Sequence, residues 1–148
     1  MSTKPCLKDQ IPKTKKSPGQ NNRLGADMRI ARTCATPDGG SRFEDVEVEF
    51  KPVKFVPGNP PLDLSEPRVA TAAQFSVLAP AWDGSWHPTP RRQYAVTLAG
   101  EWEVTTTDGE TRLFPPGSVV LLDDMNGRGH NTRVTSTAPV SILLVALA

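Results

Sequence analysis

The chain has 148 residues, 37% of them apolar, with 17 basic and 16 acidic side chains and a formal net charge of +1. That length suits one domain with a buried core and excludes two ordinary ones. The small net charge conceals an uneven distribution: Lys4, Lys8, Lys13, Lys15, Lys16 and Arg23 face only Asp9 in the first 23 residues.

This leader reads as a solvated tail rather than a nucleic-acid arm. Pro5, Pro12 and Pro18 interrupt it and no aromatic residue lies among its lysines, whereas strand binders interleave basic and aromatic side chains. The expected division is a basic, Pro-containing disordered tail over residues 1–27 and one folded domain over residues 28–148. No apolar stretch resembles a signal-peptide core or a membrane span, so the expectation is a cytoplasmic protein with neither a membrane nor a nucleic-acid partner. Cys6 and Cys34 form no CxxC pair, so two reduced thiols are expected.

After the tail, short runs rich in Val, Ile, Thr and aromatics alternate with turn residues, and no long segment keeps a helical period, which predicts an all-β fold. The first clear strand is Asp45 to Phe50, where Val46, Val48 and Phe50 alternate with Glu47 and Glu49. Lys51 to Val56 extends it past Pro52, until Pro57-Gly58-Asn59-Pro60-Pro61 forces a loop. Val69 to Leu78 is the next strand, closed by Pro80 and followed by a turn, Trp82 to His87. Gln93 to Ala99 and Glu101 to Thr107 follow. Asp108-Gly109 predicts a tight hairpin with positive φ. Pro115-Pro116-Gly117 turns the chain into Ser118 to Leu122, and the polar loop Asp123 to Gly129 leads to His130. Asn131 to Ser136 and Val140 to Leu147 are the last strands. Seven to nine short strands at this spacing fit a barrel or sandwich.

The chain has two histidines. His87-Pro88-Thr89-Pro90-Arg91-Arg92-Gln93, with six residues between Gln93 and Gly100, resembles the first motif of the cupin superfamily, in which two histidines, a glutamate and a glycine have fixed spacing. Gly109, Pro115, Gly117 and His130 resemble the second, where a Pro-x-Gly turn precedes a strand and the last metal-binding histidine. The resemblance spans residues 87–130 and implies a single cupin-type β-barrel, or jelly roll. Carried over by position, His87 and His130 match the first and last histidines, while Thr89 and Gln93 stand where the second histidine and the glutamate would be.

Two site readings stay open. In one, His87, Gln93 and His130, with Asp123 or Asp124, hold one divalent metal (Fe, Mn, Ni or Zn). In the other no metal is bound, and His87 and His130 act as general acid and base, a carboxylate of Asp123 or Asp124 fixing an imidazole tautomer. Arg91 is a candidate clamp for a carboxylate or enolate, against the alternative of a surface arginine paired with acids. By strand alternation Arg91 and Gln93 share one face, and Arg92 and Tyr94 the other. Trp82 and Trp86 are candidates for a pocket rim, with Gln93 and Tyr94 as further substrate contacts, whereas Trp102, in a hairpin strand, is expected in the core.

The function these readings predict is binding of a small organic acid or apolar metabolite inside the barrel. The reaction is proton transfer of isomerase, lyase or cyclase type, or else the pocket belongs to a non-catalytic binding module. No phosphate-cradling loop, nucleophile elbow or dinucleotide fingerprint is present. The resemblance further implies a homodimer, in which the extended segment Val53 to Leu64 takes part.

Overall fold

The computed structural model describes residues 28–148; the tail expected over residues 1–27 lies outside them. Eleven strands make up the described chain: β1 (Met28–Ala35), β2 (Ser41–Val48), β3 (Phe50–Val53), β4 (Leu62–Ser65), β5 (Ala70–Leu78), β6 (Gln93–Ala99), β7 (Trp102–Thr105), β8 (Thr111–Phe114), β9 (Val119–Asp123), β10 (Asn131–Val134) and β11 (Val140–Leu147). The all-β expectation holds, and β6 and β11 have the predicted bounds.

Six strands form one sheet in the order β2-β1-β9-β6-β11-β5, three form a second in the order β10-β7-β8, and β3 and β4 pair only with each other. Neighbours across a ladder share a face, so the register separates the two sides of the large sheet. Ala31, Val120, Ala95 and Leu144 lie in one inward row, while Val119, Val96, Leu143 and Phe75 lie in one outward row. Inward residues of the large sheet, including Phe43, Ala95, Val120, Leu122 and Ile142, meet Trp102, Val104, Phe114 and Val134 of the small sheet in a single core. Two sheets thus close over one interior, the layout of a jelly roll.

Trp102 lies in that core, as its hairpin position predicts, 5.2 Å between ring centroids from Phe114. Burying an indole requires a partner for its N–H. Trp102 Nε1 donates to Thr97 Oγ1 at 2.7 Å, tying β7 to β6 across the core. The Asp108-Gly109 turn also forms as predicted: Gly109 has φ 90°, and Thr106 N donates to Glu110 O at 2.9 Å.

Two strands escape the sequence pattern. β1 is central, paired antiparallel to β2 and parallel to β9, and buries Ile30, Thr33 and Cys34 on both its faces. A strand covered on two sides has no reason to alternate. β4 lies between the Pro57–Pro61 loop and the strand expected from Val69, where no strand was assigned, and its side chains are all exposed. Cys34 is disulfide-bonded, which corrects the expectation of a reduced thiol there. No helix of the described residues is long and apolar enough to cross a membrane.

Candidate functional site

The chain between β5 and β6 runs antiparallel beside the segment from Asp124 to Val134. Gly84 N donates to Thr132 O at 2.9 Å and Val134 N to Trp82 O at 2.8 Å. His87 and His130 form a reciprocal backbone bridge, His87 N to His130 O at 3.1 Å and His130 N to His87 O at 3.0 Å. The two histidines, 43 positions apart in sequence, are therefore paired by main chain before any side-chain chemistry is considered. Their rings lie 4.9 Å apart between centroids, tilted by 56°.

Gly129 makes this pairing possible. Its φ is +70°, and a Cβ built there would stand 1.9 Å from the His87 carbonyl oxygen. Only a residue without a side chain lets the two backbones approach so closely.

Asp123 and Asp124 point to opposite sides, as alternation at the end of β9 requires. On the outer side, Arg32 grips Asp123 Oδ2 through Nε at 2.9 Å and Nη2 at 2.6 Å. Arg92 Nε lies 3.4 Å from the other oxygen. Asp123 is thus occupied in a structural ion cluster away from the histidines.

Asp124, fully buried, faces inward. Its Oδ1 accepts from Thr33 Oγ1 at 2.7 Å and from Thr89 Oγ1 at 3.1 Å, and its Oδ2 lies 2.7 Å from His130 Nδ1. A carboxylate there can only accept, so His130 carries its proton on Nδ1 and presents Nε2 as a lone pair. The same logic applies to His87, whose Nδ1 lies 2.7 Å from the Ser85 carbonyl oxygen. Both imidazoles are thereby fixed in the tautomer that leaves Nε2 available.

The other candidate residues are dispersed. Gln93 is half-buried beside Leu122 on the inward face. Tyr94 sits opposite Leu121 and Val145 on the outward face, away from His130. Arg91 is exposed in the bend before β6, and Trp82 and Trp86 are exposed beside the His87 turn. Trp82 packs its ring over Gly84, whose missing side chain makes room for it. Thr33 went unnoticed because it belongs to a strand that the pattern missed, and Thr89 was singled out only as a missing histidine.

Among the described residues no three His, Cys, Asp or Glu side chains are grouped to hold a metal ion. Both Asp124 oxygens are already engaged in hydrogen bonds, to Thr33, Thr89 and His130.

Beside the pair lies a cleft of about 600 Å³ lined by Trp86, Pro88, Thr105, Thr106, Thr107, Gly109, Gly127 and Arg128. Its walls are the His87 turn, the β7–β8 hairpin turn and the loop before His130. The part of the β7–β8 hairpin turn in this wall was not foreseen. Arg128, a cation in this wall, was also missed.

No protein-family model matches the chain, and no curated protein matches it. Among solved structures it is similar to a cupin 2 conserved barrel domain protein from Salinispora arenicola, with 17% identity, TM-score 0.43, 66% of this chain and 73% of that one covered. It is similar also to the Cnp3 cupin domain of Schizosaccharomyces pombe, with 12% identity, TM-score 0.44 and 81% and 84% covered. A third is a sugar phosphate isomerase of the cupin superfamily from Silicibacter pomeroyi, with 14% identity, TM-score 0.42 and 87% and 76% covered. In fold, and in fold alone, the chain is similar to cupin domains.

Proposed function

We propose that the chain binds a small organic acid in the cleft between Trp86 and Arg128, and that His130 and His87 transfer a proton on it. The observation that carries this reading is the buried Asp124, which fixes the Nδ1–H of His130 and leaves Nε2 as a base. A carboxylate so placed also stabilises the imidazolium formed when Nε2 takes a proton from substrate, which lowers the barrier to that step. His87, half-buried at the rim, delivers a proton from its own Nε2 in its charged form, so the pair supplies a base and an acid for an isomerisation or elimination. Arg128 offers a guanidinium to the ligand's carboxylate and Trp86 an apolar ring to its body.

The test is exchange of carbon-bound hydrogen in D2O, followed by NMR, over a panel of small organic acids and enolisable carbonyl compounds. Exchange with at least one compound is expected, falling about 100-fold or more in His130→Ala while binding measured by Trp fluorescence persists. An exchange rate unchanged in His130→Ala refutes the assignment.

The second reading is a non-catalytic binding module. It is favoured by the cleft lining, which includes neither imidazole, and by His130 being only 3% exposed. Under that reading a ligand is bound, Trp86→Ala weakens it, and no compound exchanges.

A further inference from the structure

Asn126 and Gly127 lie in the loop between β9 and His130, and the proposed proton transfer uses neither. Both are exposed, and Gly127 lines the cleft beside Arg128. The loop is pinned on either side of them: Asp124 is buried against His130, and Arg128 N donates to Gly39 O at 3.0 Å. Between these anchors, the Asn126 side-chain amide and the Gly127 N–H have no hydrogen-bond partner among the described residues. An asparagine in a turn commonly bonds its side chain to a nearby backbone group. This one is left unbonded, immediately before a peptide nitrogen that is unbonded too.

That juxtaposition has a chemistry of its own. A free peptide nitrogen attacks the side-chain carbonyl carbon of the asparagine before it and closes a cyclic imide, most readily where no side chain obstructs the approach, as at glycine. Of the chain's asparagines only Asn126 precedes glycine. Asn59 precedes Pro60, which has no N–H to give up. Asn131 lies in β10, donates through Nδ2 to Gly84 O and precedes the branched Thr132. The fold also keeps position 127 free of a side chain, since a Cβ built on Gly127 falls 2.4 Å from the Gly39 carbonyl oxygen.

We propose that Asn126-Gly127 is a self-modifying site, at which Gly127 N attacks Asn126 Cγ and the side-chain amide is exchanged for a carboxylate at the cleft wall. The N–Cγ bond forms as the Cγ–Nδ2 bond breaks, and Nδ2 leaves as ammonia with the proton of the Gly127 amide. Water then opens the imide. Addition at Cγ restores the main chain with an aspartate at position 126; addition at the original carbonyl carbon leaves isoaspartate, whose main chain runs through Cγ and is one atom longer. No oxidant or reductant enters and neither histidine takes part, so the step is independent of the proposed proton transfer. Its product nevertheless bears on the same cleft. Arg128 already interacts with the Asp38 carboxylate, and a second carboxylate beside it turns that wall from balanced to anionic, which opposes entry of an anion.

The experiment is incubation of the folded full chain at mildly alkaline pH, followed by intact mass and peptide mapping, beside Asn126→Gln and beside the native chain unfolded in urea. A gain of about 1 Da, the exchange of NH2 for OH, is expected in the folded protein and maps to position 126 as a mixture of aspartate and isoaspartate. Asn126→Gln, whose attack needs a larger ring, is expected to gain nothing at that position over the same interval. No gain at 126 in the folded protein, over an interval that converts the unfolded chain completely, overturns the proposal, because the fold then holds the two atoms apart. The charge is read through Trp86, which shares the wall with Arg128, as the fluorescence lost in Trp86→Phe. Asn126→Asp is expected to lower its quenching by iodide about twofold and to leave quenching by neutral acrylamide unchanged. Iodide quenching equal to that of the native chain, or an equal fall with both quenchers, overturns the claim that the modification changes the charge of the cleft.

Discussion

Replacing Gly129 by alanine isolates the close approach on which the histidine pairing depends. Two costs arise. The first is the left-handed backbone, φ +70°, which an L-residue adopts at about 1–2 kcal/mol. The second is contact: the new Cβ falls 1.9 Å from the His87 carbonyl oxygen and 2.2 Å from its carbon. Both are main-chain atoms, so no side chain can swing away. Relief requires separating the two segments, which breaks the His87 to His130 hydrogen bonds at 3.1 and 3.0 Å, each worth about 0.5–1.5 kcal/mol net. The total is about 2–5 kcal/mol. Gly117 supplies the control, since its φ is +89° with nothing within 4 Å of a built Cβ; Gly117→Ala bears the backbone cost alone, about 1–2 kcal/mol. Urea unfolding of both variants measures the difference, and equal destabilisation within about 0.5 kcal/mol refutes the claim that contact at His87 is what demands glycine.

Asp124→Asn is expected to cost about 1–3 kcal/mol, the usual penalty for leaving a buried hydrogen-bonding group without its partner. Where its amide nitrogen faces His130, the proton moves to Nε2, which ¹⁵N NMR of the imidazole detects. Thr89→Val removes one of two hydroxyl donors to Asp124 Oδ1 at nearly constant volume and is expected to cost about 1 kcal/mol in urea unfolding. Trp102→Phe deletes the donor to Thr97 and leaves a small void between the sheets, with an expected loss of about 1–3 kcal/mol by the same measurement. The Asp38 carboxyl lies below its usual 3.8, held there mainly by the Thr36 hydroxyl and then by the Gly40 amide. Its contribution to the Thr36–Gly40 turn is therefore complete above 3.8 and lost as pH falls through the lower folded value; a midpoint at or above 3.8 in a carboxyl NMR titration refutes this.

The sequence revealed β5, β6 and β11 through their apolar runs and hid β1 and β4. β6 and β11 follow their apolar patterns to the residue, and the Asp108-Gly109 turn declared itself through the φ that glycine permits. β1 was hidden because both faces are buried, and with it went Thr33. β4 was hidden for the opposite reason, having no buried face to impose a pattern. In the site, the histidines were legible as rare residues at strand ends, and Asp124 as one of two adjacent acids. Choosing between Asp123 and Asp124 required knowing where β9 ends, because alternation sends one to Arg32 and the other to His130. Arg128 and the Thr105–Thr107 wall could not be placed without the approach of the β7–β8 hairpin to the His87 turn.

Thr89 gives the most direct argument about what this site does. By position it stands where the resemblance would put a metal-binding histidine, yet it is 2% exposed and its hydroxyl donates to Asp124 Oδ1. An imidazole there would displace that donor and compete with His130 for the carboxylate. The donors that remain, Thr33 and Thr89 on one oxygen and His130 on the other, commit Asp124 wholly to holding one imidazole. A carboxylate supported in this way cannot also turn toward an ion without leaving two buried hydroxyls unpaired, at about 1–3 kcal/mol each. The hydroxyl at Thr89 and the orientation of Asp124 therefore reinforce each other: both hold the His130 imidazole in the tautomer that the proposed base requires, and a chain that kept one without the other would have a half-satisfied buried polar cluster.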